Sequence, residues 1–277
     1  MSQLIDDLKD VRLAIFDLDG VVYRGNNKIP GVANIIKKLK ANSIRVVFNS
    51  NNSTLTRKMY VEKLKKFQIT STIDDIFTSA YITAEEISKI KPNAHIYIIG
   101  EKGLKEELKA KNHQICENVA NPNTIDFVIV GLDRNFNYKK LAIAQNCISQ
   151  GHAQFYATNT DATLPENDTE RPGAGCMVAA LERCVSQKPL SVFGKPSPLG
   201  IKMILDKTKI QAHNTVIFGD RVDTDIIAGN QARIKTVLVL TGVTTKENIV
   251  ELNEKKDTME NNLLPNIIIN SLEEIFM

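Results

Sequence analysis

An α/β fold built on a parallel sheet is the architecture predicted for this 277-residue sequence. Three observations predict it. Short apolar, β-leaning runs alternate with amphipathic helical stretches. Four of those runs end in reactive polar residues. A separate block of the same alternation lies between the second and third of the four, so one α/β domain is inserted into another.

The elements follow in order. Residues 2–9 read as a polar lead-in with one helical turn. The first strand is expected over 11–17 and ends in Asp17-Leu18-Asp19-Gly20. Two carboxylates at i, i+2 after a buried strand are costly. They must be neutralised by a cation, share a proton or point apart. A hard divalent ion such as Mg²⁺ answers that cost, because it takes oxygen ligands; a turn without chemistry is the bland alternative. Residues 21–26 form a β-type run closed by a turn, suited to a flap. Pro30-Gly31 opens a helix to residue 41, with Val32, Ile35, Ile36 and Leu39 on one face.

The second strand, 44–49, runs into Ser50-Asn51-Asn52. Ser53, Thr54 and Thr56 are N-cap candidates for a helix over 55–67. A short strand and crossover occupy 73–80. In the insertion, helices are expected over 84–90, 103–110, 138–148 and 175–184, and strands over 95–99, 127–131 and 154–157. Asn159 and Asp161 follow the last of these strands as candidate substrate contacts, against a turn-building role. The first domain resumes with a strand over 190–194 leading into Lys195-Pro196, then a helix over 199–207. A strand over 215–218 delivers Asp220, with Asp225 beyond. A helix over 226–229, a β run over 234–240, a polar stretch over 246–260, a strand over 267–269 and a helix over 272–276 complete the chain.

In an open parallel sheet, ligands bind at the carboxyl ends of the strands. If the four runs share one sheet, Asp17, Asp19, Ser50, Asn51, Lys195, Asp220 and Asp225 converge on one edge. That set suits phosphoryl transfer, which needs a nucleophile, an acid/base, a metal and cations for the phosphoryl oxygens.

Composition narrows the alternatives. Hydrophobic residues at 43% and charged residues at 24% are ordinary for a globular protein. A net charge of +3 is too small to argue for nucleic acid. Cys116, Cys147, Cys176 and Cys184 form no Cys-x-x-Cys pair, so free thiols in a cytoplasmic setting are expected. No apolar stretch approaches ~18 residues, so no membrane partner is expected. Residues 1–10 lack the apolar core of a signal peptide.

The motifs Asp17-Leu18-Asp19-Gly20, Ser50-Asn51-Asn52, Gly194-Lys195-Pro196 and Gly219-Asp220-Arg221-Val222-Asp223-Thr224-Asp225, in that order, resemble the four motifs of the haloacid dehalogenase (HAD) superfamily. Their forms, with Ala157-Thr158-Asn159-Thr160-Asp161 and Pro172-Gly173-Ala174-Gly175, are similar to subfamily IIA, which includes p-nitrophenyl, NagD-type, phosphoglycolate and pyridoxal phosphate phosphatases. The resemblance implies a Rossmann-like three-layer core over 1–79 and 187–277, with a C2-type α/β cap over 80–186. It implies a Mg²⁺-dependent phosphatase acting on a small phosphorylated metabolite, with a homodimer allowed. By it, Asp17 is the nucleophile and Asp19 the general acid/base. Ser50, Asn51 and Lys195 hold the phosphoryl group. Asp17, Asp19 (through its carbonyl) and Asp220 hold the metal, and Asp225 is a further ligand or supporting acid. A phosphotransferase on the same core and a non-hydrolytic phospho-accepting domain are the alternatives.

Overall fold

The computed structural model describes residues 4–166, 169–249 and 263–277. Most of the polar stretch expected over 246–260 lies outside them. The chain forms two compact units: Met1–Ser50, Val61–Phe77 and Lys195–Met277 in the first, and Asn51–Tyr60 and Thr78–Gly194 in the second. The contacts therefore group residues 51–60, 78–79 and 187–194 with the insertion, where the sequence had placed them in the first domain.

The first unit is built on a six-stranded sheet. Its strands are β1 (Leu13–Phe16), β4 (Arg45–Ser50), β5 (Ile76–Thr78), β13 (Thr215–Gly219), β14 (Lys235–Val239) and β15 (Ile267–Ile269), in the order β15-β14-β13-β1-β4-β5. The pairings from β15 through β4 are parallel. β1 is buried on both faces, which explains its uninterrupted apolar run. From β1 the chain builds outward to β4 and β5, then returns to build β13, β14 and β15 on the other side. The junction of β1 and β13 is thus the topological switch point, where a crevice opens beyond the strand ends. Between β1 and α1 (Val32–Ala41), the expected flap is a hairpin of β2 (Tyr23–Arg24) and β3 (Asn27–Lys28). Val32, Ile35, Ile36 and Leu39 are the buried face of α1. Thr56 caps α2 (Arg57–Lys66) by accepting from the Met59 N–H.

The second unit carries a five-stranded sheet of β6 (His95–Ile99), β7 (Gln114–Ile115), β8 (Phe127–Val130), β9 (Gln154–Ala157) and β12 (Ser191–Val192), in the order β12-β9-β8-β6-β7. All four pairings are parallel. The helices α3 (Ser79–Ile90), α4 (Lys102–Lys109), α5 (Tyr138–Ser149) and α6 (Ala174–Val185) belong to this unit. The strand expected over 190–194 departs from the sequence reading here. It does not join the first sheet; two of its residues add to the open edge of β9. Leu190 is 65% exposed, so the apolar run gave no true sign of a core strand. A hairpin of β10 (Thr163–Glu166) and β11 (Thr169–Pro172) was not expected. Its exposed β11 lacks the hydrophobic alternation that betrays a strand.

After Lys195, α7 (Leu199–Thr208) leads to β13. One π-helical turn, Val222–Ile226, then precedes α8 (Ile227–Gln231). The terminal helix expected over 272–276 is a short 3₁₀ turn, Leu272–Ile275. Among the described residues no helix is long and apolar enough to cross a membrane.

Candidate active site at the carboxyl edge of the first sheet

Register assembles the site. Phe16 lies opposite Phe48 on one side and Phe218 on the other. The Phe16 and Phe218 rings stack with centroids 4.7 Å apart, and Phe48 lies tilted to Phe16 at 6.4 Å. Each phenylalanine ends the apolar part of its strand. The next residues, Asp17, Asn49-Ser50 and Gly219-Asp220, therefore emerge side by side above an aromatic floor. The Asp17 N–H donates to the Phe218 carbonyl at 2.9 Å, which extends the ladder one step and holds Asp17 at the edge.

Oxygen atoms of the Asp17, Asp220 and Asp225 carboxylates all lie within 4.8 Å of one another, and all three residues are buried. The Lys195 ammonium reaches into the cluster. Nζ donates to Asp17 Oδ1 at 2.5 Å, to Asp225 Oδ1 at 2.5 Å and to the Asn49 carbonyl at 3.1 Å. Lys195 is 4% exposed and arrives by the stretch that follows β12, not from a strand of this sheet. Asp225 comes from the π-helical turn, a form frequent at functional sites. Its Oδ2 accepts from the Arg221 N–H at 3.2 Å. Gly219 makes room for it: a Cβ there would stand 2.1 Å from Asp225 Cβ. Asp223, by contrast, turns to the surface and pairs with Arg221.

The electrostatics are unbalanced in a way that suits a cation. Burial pushes the Asp17 carboxyl well above the usual carboxylate range; Lys195 opposes this, while Asp225 and Asp220 add to it. Asp220 is pushed up to about 7, by burial first and then by Asp225. Burial works against the Lys195 charge, but Asp17 and Asp225 outweigh it and hold that ammonium above the ordinary lysine value. One ammonium does not balance three buried carboxylates. The donor set is all oxygen and all anionic, which fits a hard divalent ion such as Mg²⁺. Among the described residues this is the one acidic group of that kind.

The loop after β14 completes the wall, and the sequence reading missed it. The Val243 N–H donates to Asp220 Oδ2 at 2.7 Å, and Thr241 Oγ1 donates to the Gly20 carbonyl at 2.7 Å. Gly242 lies so close that a Cβ would stand 1.9 Å from Asp220 Oδ2. The available signal was positional: Thr241-Gly242 follows a further β run of the same sheet. Gly20, at φ +89°, is needed twice over, since a Cβ there would meet Asp220 Oδ2 at 2.3 Å.

Asp19 stands apart from the three carboxylates, at the base of the flap. It bridges to Tyr23. Burial raises its pKa; Lys63, the Gly25 N–H and Arg24 oppose the rise. Lys63, on α2, donates from Nζ to the Gly25 carbonyl at 2.9 Å and sits 3.5 Å over the Tyr23 ring. Ser50 is buried at the end of β4, beside β1. Asn51, Asn159 and Asp161 lie in the second unit and are hydrogen-bonded together: Asn51 Nδ2 donates to both Asp161 oxygens at 3.1 Å, and Asn159 Nδ2 to Asp161 Oδ2 at 2.9 Å.

Comparison with known proteins places the chain in a family. The family model described as haloacid dehalogenase-like hydrolase matches residues 14–114, and a second model of that superfamily matches 192–274. Phosphoglycolate phosphatase 2 of Arabidopsis thaliana is 34% identical over 264 residues, covering 87% of this chain and 86% of the plant protein. The p-nitrophenyl phosphatase from Archaeoglobus fulgidus superposes with a TM-score of 0.86 at 34% identity, covering 96% of this chain and 98% of its own. The glycerol phosphate phosphatase Rv1692 from Mycobacterium tuberculosis, solved in complex with magnesium, gives a TM-score of 0.87 at 27% identity, covering 99% of this chain and 79% of its own.

Proposed function

Because this chain belongs to the haloacid dehalogenase-like hydrolases and is a phosphoric monoester hydrolase, we propose that it cleaves small-molecule phosphate monoesters through an aspartyl-phosphate on Asp17, with Mg²⁺ as cofactor. The observation that carries this reading is the cluster of Asp17, Asp220 and Asp225 around the Lys195 ammonium at the switch point of the sheet. Asp17, Asp220 and the Asp19 carbonyl would hold Mg²⁺, with Asp225 supporting. When bound, the ion supplies positive charge against the phosphoryl oxygens and the buried carboxylates.

The residues divide the remaining work. An Asp17 oxygen attacks phosphorus and displaces the alkoxide. Lys195 keeps Asp17 oriented and offsets its negative charge as an anionic ester approaches. Ser50, and Asn51 beside it in the chain, contact the phosphoryl oxygens. Asp19, whose half-buried carboxyl holds a proton more readily than an exposed one, protonates the leaving alkoxide. It then takes a proton from the water that hydrolyses the acyl phosphate. The second unit acts as a cap that excludes water and selects the ester. Phosphoglycolate, glycerol phosphate and p-nitrophenyl phosphate, from the names of the relatives, make the first substrate panel.

The test is turnover of p-nitrophenyl phosphate with Mg²⁺ by the wild-type chain and by Asp17→Asn. Wild type should release many equivalents of phosphate, which separates an enzyme from a phospho-accepting domain. The variant should lose on the order of 10⁴-fold or more in kcat. Full turnover by Asp17→Asn would end the nucleophile assignment.

A further inference from the structure

Asp161 is a half-buried carboxylate that accepts from two side-chain amides. Asn51 Nδ2 lies 3.1 Å from each of its oxygens, and Asn159 Nδ2 lies 2.9 Å from Oδ2. A carboxylate only accepts, so the Asn51 amide must turn its nitrogen toward Asp161 and its Oδ1 away. The surroundings agree. A Cβ on Gly194 would stand 2.7 Å from Asn51 Oδ1, so Gly194 leaves the space which that oxygen fills. Thr158 Oγ1 donates to Asn159 Oδ1 at 2.8 Å, which turns the Asn159 nitrogen toward Asp161 in the same way. Ser79 Oγ donates to the Asn51 carbonyl at 2.6 Å. Three stretches far apart in sequence, around Asn51, Ser79 and Asp161, are thus tied together through Asn51.

We propose that Asp161 is a positioning residue for Asn51, not a substrate contact. It fixes the Asn51 side chain, and with it the backbone that immediately follows Ser50. Residues Ser50 and Asn51 are those assigned to the phosphoryl oxygens, so the inference rests on the phosphatase reading. A carboxylate suits the task better than an amide. It accepts from Asn51 and Asn159 at once with either oxygen, and each bond is charge-assisted. An asparagine at 161 would offer one oxygen to two competing amides.

A double-mutant cycle tests the proposal. Asp161→Asn, Asn51→Ala and the double variant are assayed with p-nitrophenyl phosphate and with glycerol phosphate, whose leaving groups differ in size and polarity. Each single variant is expected to lower kcat/KM by roughly 10- to 100-fold, the scale of one charge-assisted hydrogen bond. The loss should be the same on both esters, and the double variant should be no worse than Asn51→Ala. A loss that depends on the leaving group would mean direct substrate contact; a loss that multiplies with Asn51→Ala would mean an independent role. Either outcome, or an Asp161→Asn variant with wild-type kinetics, overturns the proposal. Should Asp161→Asn melt near the assay temperature, Asp161→Ser, which also lacks the carboxylate, replaces it in the cycle with the same expectation. The Asn51 side-chain amide resonances give a readout that needs no turnover. They should shift in Asp161→Asn and stay put in Lys37→Met, an exposed change on α1. If the wild-type chain hydrolysed neither ester, the phosphatase reading would fall, while unmoved Asn51 resonances would sink the pairing itself.

Discussion

Replacing Lys195 with methionine isolates the electrostatic logic of the site. The side chain keeps a similar length and loses the ammonium. Three acceptors, Asp17 Oδ1, Asp225 Oδ1 and the Asn49 carbonyl, lose their donor at a position only 4% exposed. Deleting one partner of a buried ion pair costs ~3–5 kcal/mol, because the other charge stays buried without compensation. For a chain of this size that is a fall in Tm of roughly 10 °C. The deficit should depend on pH. Asp17 and Asp220 already have folded pKa values above their unfolded ones, with Asp220 at about 7. A raised acid gives stability that is present below its unfolded pKa and lost as pH rises through the folded value. Without Lys195 both are raised further, so the deficit should be largest near pH 8 and smaller near pH 5. The assay is urea unfolding of wild type and Lys195→Met in chelator at both pH values, with Lys37→Met as a control expected within ~0.5 kcal/mol of wild type. Saturating Mg²⁺ should stabilise Lys195→Met more than wild type, since the ion replaces the missing charge. A Lys195→Met variant as stable as wild type at pH 8, or a deficit that grows toward pH 5, would refute the argument.

Three further outcomes are expected. Gly242→Ala drives a Cβ to 1.9 Å from Asp220 Oδ2, so it should cost ~1–3 kcal/mol of stability and weaken Mg²⁺ binding as read by calorimetric titration. Lys63→Met removes the bond to the Gly25 carbonyl and the cation over Tyr23; it should cost about 1 kcal/mol and speed limited proteolysis within the flap hairpin. Buried His113 accepts the Ala94 N–H at Nδ1 and faces Ser88 Oγ at Nε2, and burial, then Lys111, lowers its pKa. Its contribution is therefore present above the unfolded histidine pKa of about 6.5 and lost as pH falls through the lower folded value. His113→Gln should flatten the fall in Tm between pH 7 and pH 5.

Much of the site was legible because its residues sit where strands end. Asp17, Ser50 and Asp220 each follow an apolar run, and parallel pairing in register brings such ends together. Asp225 was legible too, five residues beyond Asp220 in one motif. Lys195 reaches the carboxylates, but by a route the sequence did not reveal: its short run belongs to the second sheet, and a two-residue strand carries too little pattern to show its partner. The Thr241-Gly242-Val243 loop and Lys63 escaped notice because their value lies in distance, not residue type. A glycine after a strand and a lysine on a helix are ordinary until neighbours are known. Asp161 was read as a candidate substrate contact or a turn-builder; its bond to Asn51, 110 positions away, left no sign in its flanking residues.

The amino-acid order by itself determined the alternation of strands and helices, the insertion of one α/β unit in another, and the acids at strand ends, because hydrophobic period and turn residues act over a few neighbouring positions. Which strand pairs with which, which carboxylates crowd together and which lysine answers them were decided only in three dimensions. Those outcomes depend on register and on charge desolvated by groups remote in sequence, and Coulomb energy follows separation in space, not along the chain.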